Sequence, residues 1–251
     1  MALLFLLGCL IAEPQPDRGE EPPPLSADEQ SRLKLELDAR IKDLTKQIER
    51  SPTDLRLRQS RGTAYFFRGR FQEAVADFDK MVEIDPDCEK SHWQRGIALY
   101  YDGQFEKSAQ QFELYHQYDN VDRENGIWRF LAQSAARGRD VAKKGLLEYS
   151  MEDRPPLTDI YAMFSGTLTA DQLAKKIERS TGISQAERDK RRFYTDLYIG
   201  LDLASQKDSE GALSHLRKAV ANPWGQSARG GPGYMWHVAR VHWELLERAT
   251  K

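Results

Sequence analysis

Laid on itself at a shift of 34 residues, the chain repeats: Arg61-Gly62 recurs as Arg95-Gly96, Ala64 as Ala98, Gly69 as Gly103, Phe71 as Phe105 and Phe78 as Phe112. A repeat of this length constrains the fold more than any single motif. Each copy is one supersecondary unit that cannot bury its apolar face alone, so the core must come from stacking one copy on the next. The first copy has small residues, Gly62 and Ala74, where two helices would approach closely, and rings, Tyr65 and Phe78, to fill the space between them. Pro86 then ends the second helix, because proline has no N–H to continue it.

The period and the positions of Gly62, Tyr65, Ala74, Phe78 and Pro86 resemble the tetratricopeptide repeat (TPR), a pair of antiparallel helices. Copy one covers about 55–88 and copy two about 89–122. The second is looser: it keeps Gly96 and Phe112 but has Ser108 and Asn120 in place of Ala74 and Pro86. A degenerate third copy, about 193–226, fits Ile199-Gly200, Leu203, Ala212 and Leu216, approached by a helix starting at Ser184, with Glu187 completing a capping-box pattern.

The rest of the chain also reads as helix. Leu33, Leu37, Ile41, Leu44 and Ile48 fall at threes and fours and predict an amphipathic helix over Asp28–Arg50, docked ahead of the first repeat. Residues 124–137, 141–149, 157–164 and 169–179 show the same spacing without strand-like alternation. A glycine and proline loop is expected over Asn222–Pro232, followed by a final helix, Tyr234–Ala249, that closes the stack. The expected fold class is therefore all-α, a TPR-type helical-hairpin solenoid over 27–251 behind a proline-rich disordered tether.

Residues 1–12 form an apolar run too short to span a bilayer, for which about 20 residues are needed. It reads as an export signal, and Leu6-Leu7-Gly8-Cys9 resembles the lipobox of bacterial lipoproteins, which makes Cys9 the expected lipidation site. No Lys or Arg precedes the run, unlike an ordinary signal peptide, so a cytosolic protein with an apolar N-terminal tail is the alternative. Residues 13–26, rich in Pro and Glu, read as a semi-rigid spacer that would hold a lipid-anchored domain clear of a membrane.

A formal charge of -2 with 30% charged residues gives no electrostatic case for binding nucleic acid. The second cysteine, Cys88, lies in the polar turn Asp85-Pro86-Asp87-Cys88-Glu89 and reads as an inert thiol. His92, His116, His215, His237 and His242 lack metal-ligand spacing, and Arg229-Gly230-Gly231-Pro232-Gly233 follows no strand and has no Lys-Ser/Thr pair to cradle a phosphate. No Gly-x-Ser-x-Gly elbow occurs. No catalytic residue, metal or cofactor is therefore expected, and a helical cell-wall hydrolase, the enzymatic alternative, would need one Glu in an apolar cleft that the sequence does not single out.

In a TPR array the first helices of successive pairs line a groove. The motif positions facing it are Gln59, Thr63, Phe66 and Phe67 in copy one, and Lys90, Trp93, Ile97, Tyr100 and Tyr101 in copy two. An aromatic, lightly charged groove suits a peptide or helix of another protein; packing between helices is an equal reading for Phe66 and Tyr100. The Lys and Asn that hold a chaperone's terminal carboxylate in some TPR domains are absent, since Gln59, Thr63 and Trp93 stand there. Through Arg95-Gly96-Ile97-Ala98-Leu99-Tyr100-Tyr101, Phe164-Ser165-Gly166-Thr167-Leu168 and Lys218-Ala219-Val220-Ala221-Asn222, the chain is similar to the NlpI family of bacterial outer-membrane TPR lipoproteins. That similarity implies a non-enzymatic, homodimeric adaptor facing the periplasm, whose partners are peptidoglycan hydrolases and a tail-specific protease. The proline-rich tether and the glycine-rich 222–232 segment depart from the family pattern and leave the partners open.

Overall fold

The computed structural model describes residues 24–250, and all the regular structure among them is helical. The lipobox with Cys9 and residues 13–23 of the spacer lie outside the described residues. Helix α1 (Ala27–Arg50) begins at a capping box in which Ser26 Oγ accepts from the Glu29 N–H and Glu29 Oε2 accepts from the Ser26 N–H. Its buried stripe, Leu37, Ile41, Leu44 and Ile48, packs against α2.

Three helical hairpins follow the same rule of construction. They are α2 (Leu55–Phe67) with α3 (Phe71–Ile84), α4 (Trp93–Tyr101) with α5 (Phe105–Tyr118), and α10 (Gln185–Ser205) with α11 (Ser209–Ala221). In each, a glycine of the first helix meets a large apolar residue of the second. A Cβ would lie 2.6 Å from Phe78 at Gly62, 2.7 Å from Phe112 at Gly96 and 2.8 Å from Leu216 at Gly200, closer than a real Cβ can approach. The turns of the first two hairpins close through Gly69 and Gly103, both at φ 78, a left-handed conformation that costs a glycine nothing. Where the second hairpin has Ser108 in place of Ala74, the hydroxyl donates to the Gly96 carbonyl at 2.8 Å, so the buried polar atom is satisfied.

A 3-10 helix (Pro86–Ser91) joins the first two hairpins, and between the second and third run α6 (Arg123–Arg137), α7 (Arg139–Lys144), α8 (Leu157–Ser165) and α9 (Ala170–Glu178). The helix expected over 141–149 stops at Lys144, where Gly145 caps it and Arg129 takes the Gly145 carbonyl. Ser184 caps α10 by accepting from the Glu187 N–H, but the Glu187 carboxylate pairs with Lys190 and Arg191 instead of completing the box. The loop expected over 222–232 is largely helical. Asn222 Oδ1 caps a short α12 (Pro223–Ser227) with proline at its first position, and α13 (Gly230–Ala249) starts at Gly230 rather than at Tyr234. Helix α13 packs on α11 and α12, and its side chains also reach α2 and α4, bringing the end of the chain back to the first hairpin.

Candidate functional site

The face of α2 and α4 that the repeat pattern assigns to a groove is where α13 lies. Tyr234 stacks on Phe66 with ring centroids 5.1 Å apart and takes the edge of Trp93 at 4.9 Å; His237 stacks on Phe67 at 3.7 Å. Lower down, the Tyr101 hydroxyl and His242 Nδ1 are 2.9 Å apart. Arg240 ties the helices together by donating to the Phe67 carbonyl and, at 2.5 Å, to Glu244 Oε1, and both members of this ion pair are buried. Burial pushes His242 down to about 4 and His237 well below the usual histidine range, so both rings are neutral at pH 7.

The expected groove is therefore divided. Phe66 and Ile97 are fully buried, Tyr100 packs its edge on Phe105 and Trp128, and Tyr101 sits between Phe66 and His242. Lys90 is exposed on the 3-10 helix. Gln59, Thr63, Phe67 and Trp93 do come together, and with Trp236, His237 and the glycines at 230, 231 and 233 they line an open cleft of about 560 Å3. Trp93 and Gly231 also line a second, smaller space of about 290 Å3 that extends inward from the cleft.

The inner cavity has apolar walls, Ile97, Phe112, Trp128, Tyr194 and Met235 beside Trp93, and a polar end made of Asp122, Glu124, Asn125 and Arg154. Its rim carries the exposed residues Gly231 and Arg154. Asp122 caps α6, accepting from the Glu124 N–H at 3.1 Å, which places Glu124 in the first turn of the helix. Glu124 Oε1 accepts from the Tyr198 hydroxyl at 2.5 Å and Oε2 from Arg154. Arg154 also bridges to Asp122 at 3.3 Å and to Asp153 at 3.2 Å, so one guanidinium serves three carboxylates.

The electrostatics follow from that ratio. Burial first, and then the charge of Asp122, push the Glu124 carboxyl up to about 7, against the opposing pull of Arg154 and the Tyr198 bond. Asp122 is raised by burial too, with Arg154 working against it. Burial alone would lower Arg154, but the three carboxylates outweigh it and hold the guanidinium firmly charged. Chemically, this is an acid near neutral pKa beside a second carboxylate, in an aromatic-walled recess.

Sequence reasoning did not find Glu124. In Asp122-Arg123-Glu124-Asn125 it looks like ordinary acidic compensation of a helix N-terminus, and only the approach of Tyr198, 74 residues on, and Arg154 gives it a special setting. Cys88 is half-buried and unbonded, and burial together with Asp85 and Glu89 raises its thiol, which disfavours the reactive thiolate. Among the described residues no three His, Cys, Asp or Glu side chains are grouped to hold a metal ion, and no helix is long and apolar enough to cross a membrane. No family model matches the chain, and no curated protein matches it.

Proposed function

We propose that this chain is a TPR-type adaptor that holds a segment of another protein in the open cleft between α2, α4 and the start of α13. The observation that carries the reading is the convergence of Gln59, Thr63, Phe67 and Trp93 with Trp236 and His237 around about 560 Å3 of accessible space. Amide and hydroxyl groups beside rigid rings can satisfy a polypeptide backbone while burying apolar side chains. The repeat of the Gly62/Phe78 contact at Gly96/Phe112 and Gly200/Leu216 supports the TPR assignment. The lipobox and the resemblance to the NlpI family extend the reading to a lipoprotein acylated at Cys9, facing the periplasm as a homodimer, with peptidoglycan hydrolases and a tail-specific protease as partners.

Thr63→Tyr fills the cleft from α2 without entering the core. Affinity capture from envelope extracts with wild type, Thr63→Tyr and Phe67→Ala/Trp93→Ala, at matched helix content, should lose the same partners in both variants. Unchanged partner sets in both would refute the cleft as the binding surface. Cys9→Ala should release the protein from membranes, and continued attachment would refute the anchor.

One observation favours a second reading. Glu124, protonated in part near neutral pH beside Asp122, has the character of a general acid in a cell-wall hydrolase. We place it second because about 290 Å3 admits a single ring or side chain rather than a polymer. Release of soluble fragments from isolated peptidoglycan by wild type, abolished in Glu124→Gln, would reverse that order.

A further inference from the structure

The inner cavity has a chemistry distinct from that of the cleft. Its rings, Trp93, Phe112, Trp128 and Tyr194, belong to four helices, α4, α5, α6 and α10, that converge only in the folded chain. At its polar end the charge does not balance, because two lining carboxyl groups, Asp122 and Glu124, share one lining cation, Arg154, which also pairs with Asp153 beyond the lining. Arg123, the neighbouring cation, is turned away: its guanidinium lies 4.9 Å from the centre of the Tyr149 ring, and its Nη1 atom has no hydrogen-bond partner. Arg154 itself is 46% exposed at the rim, so its charge is partly spent on solvent while the carboxylates face inward.

We propose that the cavity bounded by Trp93, Trp128, Tyr194 and Met235 binds a methylated ammonium group, with the carboxylates of Glu124 and Asp122 supplying the counter-charge. An electron-rich ring attracts a cation through its quadrupole, more strongly where water is excluded, and several rings around one recess are the usual means of holding an ammonium whose charge is spread over methyl groups. An anion would meet surplus carboxylate, and a neutral guest would leave that surplus uncompensated.

The hydrogen bonds narrow the class further. Both Glu124 oxygens already accept one bond each, from Tyr198 and Arg154, and Asp122 Oδ1 accepts from the Glu124 N–H and from Arg154. A primary ammonium brings three donors that each need an acceptor, and it is left with Asp122 Oδ2 and the second lone pairs of oxygens already bonded to Tyr198 and Arg154. A trimethylammonium group brings none and needs only charge and apolar contact. The volume of about 290 Å3 accommodates that group with a short carbon chain. The neutral form that Glu124 adopts in part near pH 7 fits a carboxyl whose counter-cation is supplied by a guest.

The same group occurs in free choline and in phosphocholine, and the two differ only outside the cavity, where Arg154 stands at the rim. The site shares Trp93 with the neighbouring cleft, but its counter-charge and its other rings, Glu124, Asp122, Trp128 and Tyr194, line the cavity and not the cleft.

The test uses the full chain, labelled with 15N, and follows the indole N–H signals of Trp93 and Trp128 during titration with choline. Four further titrants are phosphocholine, n-butylamine, the uncharged choline isostere 3,3-dimethyl-1-butanol, and glucose as a neutral ring. The expected result is saturable shifts with choline or phosphocholine at least tenfold tighter than with butylamine or the neutral isostere, and a loss of at least tenfold in Glu124→Gln. A tighter phosphocholine arm assigns the phosphorylated source, with Arg154 reading the phosphate, and a tighter choline arm the free cation. Trp93→Leu, at a half-buried position, is the second variant and should weaken binding without altering the α-helical circular dichroism. No saturable shift, equal binding of the neutral isostere, preference for glucose, or full binding by a correctly folded Glu124→Gln protein would each overturn the proposal.

Discussion

Glu124→Gln isolates the energetic consequence of the buried carboxyl. In the folded chain the group titrates at about 7, against 4.5 for the same side chain in the open, and its side chain is only 14% exposed. The native carboxyl thus holds its proton more tightly than the unfolded one. Its contribution is full below pH 4.5 and is lost as the pH rises through about 7. The whole difference corresponds to about 3 kcal/mol, of which about 2 kcal/mol falls between pH 5 and 7. Glutamine keeps the shape but cannot titrate, and its single oxygen accepts from Tyr198 or from Arg154 but not from both, a loss that is the same at every pH. Urea unfolding of both proteins, followed by circular dichroism at pH 5, 6, 7 and 8, should show the wild type gaining about 2 kcal/mol on the variant as the pH falls from 7 to 5. Parallel stability curves would refute the reasoning, because they would mean that Glu124 has the same proton affinity folded and unfolded.

Other positions carry their own tests. His92 and His242 are both pushed down to about 4 by burial, so their contributions are present above the ordinary histidine value of 6.5 and are lost as the pH falls toward 4; each removes about 2 kcal/mol between pH 7 and 5, and His242→Gln should flatten the urea-derived stability profile by that amount. Gly96→Ala forces a methyl group to within 2.7 Å of the Phe112 ring and should cost about 1–3 kcal/mol in urea unfolding, whereas Gly231→Ala, with open space around the added carbon, should be close to neutral. Glu244→Gln leaves the buried Arg240 without its counter-ion and should cost about 3–5 kcal/mol by denaturant titration, more than any surface pair.

Much of the scaffold was legible in the sequence because its signals are local. Gly62 and Gly96 mark where the first helix of a hairpin must let a ring approach, and each sits 16 residues before that ring, Phe78 or Phe112. The threes and fours of Leu37, Ile41, Leu44 and Ile48 locate α1, and Ser184 locates the start of α10. The misreadings were local too. Glycines and prolines at 222–232 suggested a loop, but Asn222 caps, Pro223 suits a first helical position, and Gly225 is required by contact with Phe193, where a Cβ would lie 2.7 Å from the ring.

By itself, then, the sequence determined the helical class, the hairpin period and the small-against-large contacts, because each depends on residues within one or two turns or one repeat of one another. Only the tertiary structure decided what the rings of α2 and α4 face. Phe66 and Tyr101 look the same in sequence whether they bind a partner or pack, and it is the return of α13 that covers Phe66 and ties Tyr101 to His242 while leaving Thr63 and Trp93 at a cleft. The setting of Glu124 was decided in the same way. A carboxyl's proton affinity depends on the water it loses and the charges brought near it, and Tyr198 and Arg154 reach it from distant parts of the chain only once the helices have packed.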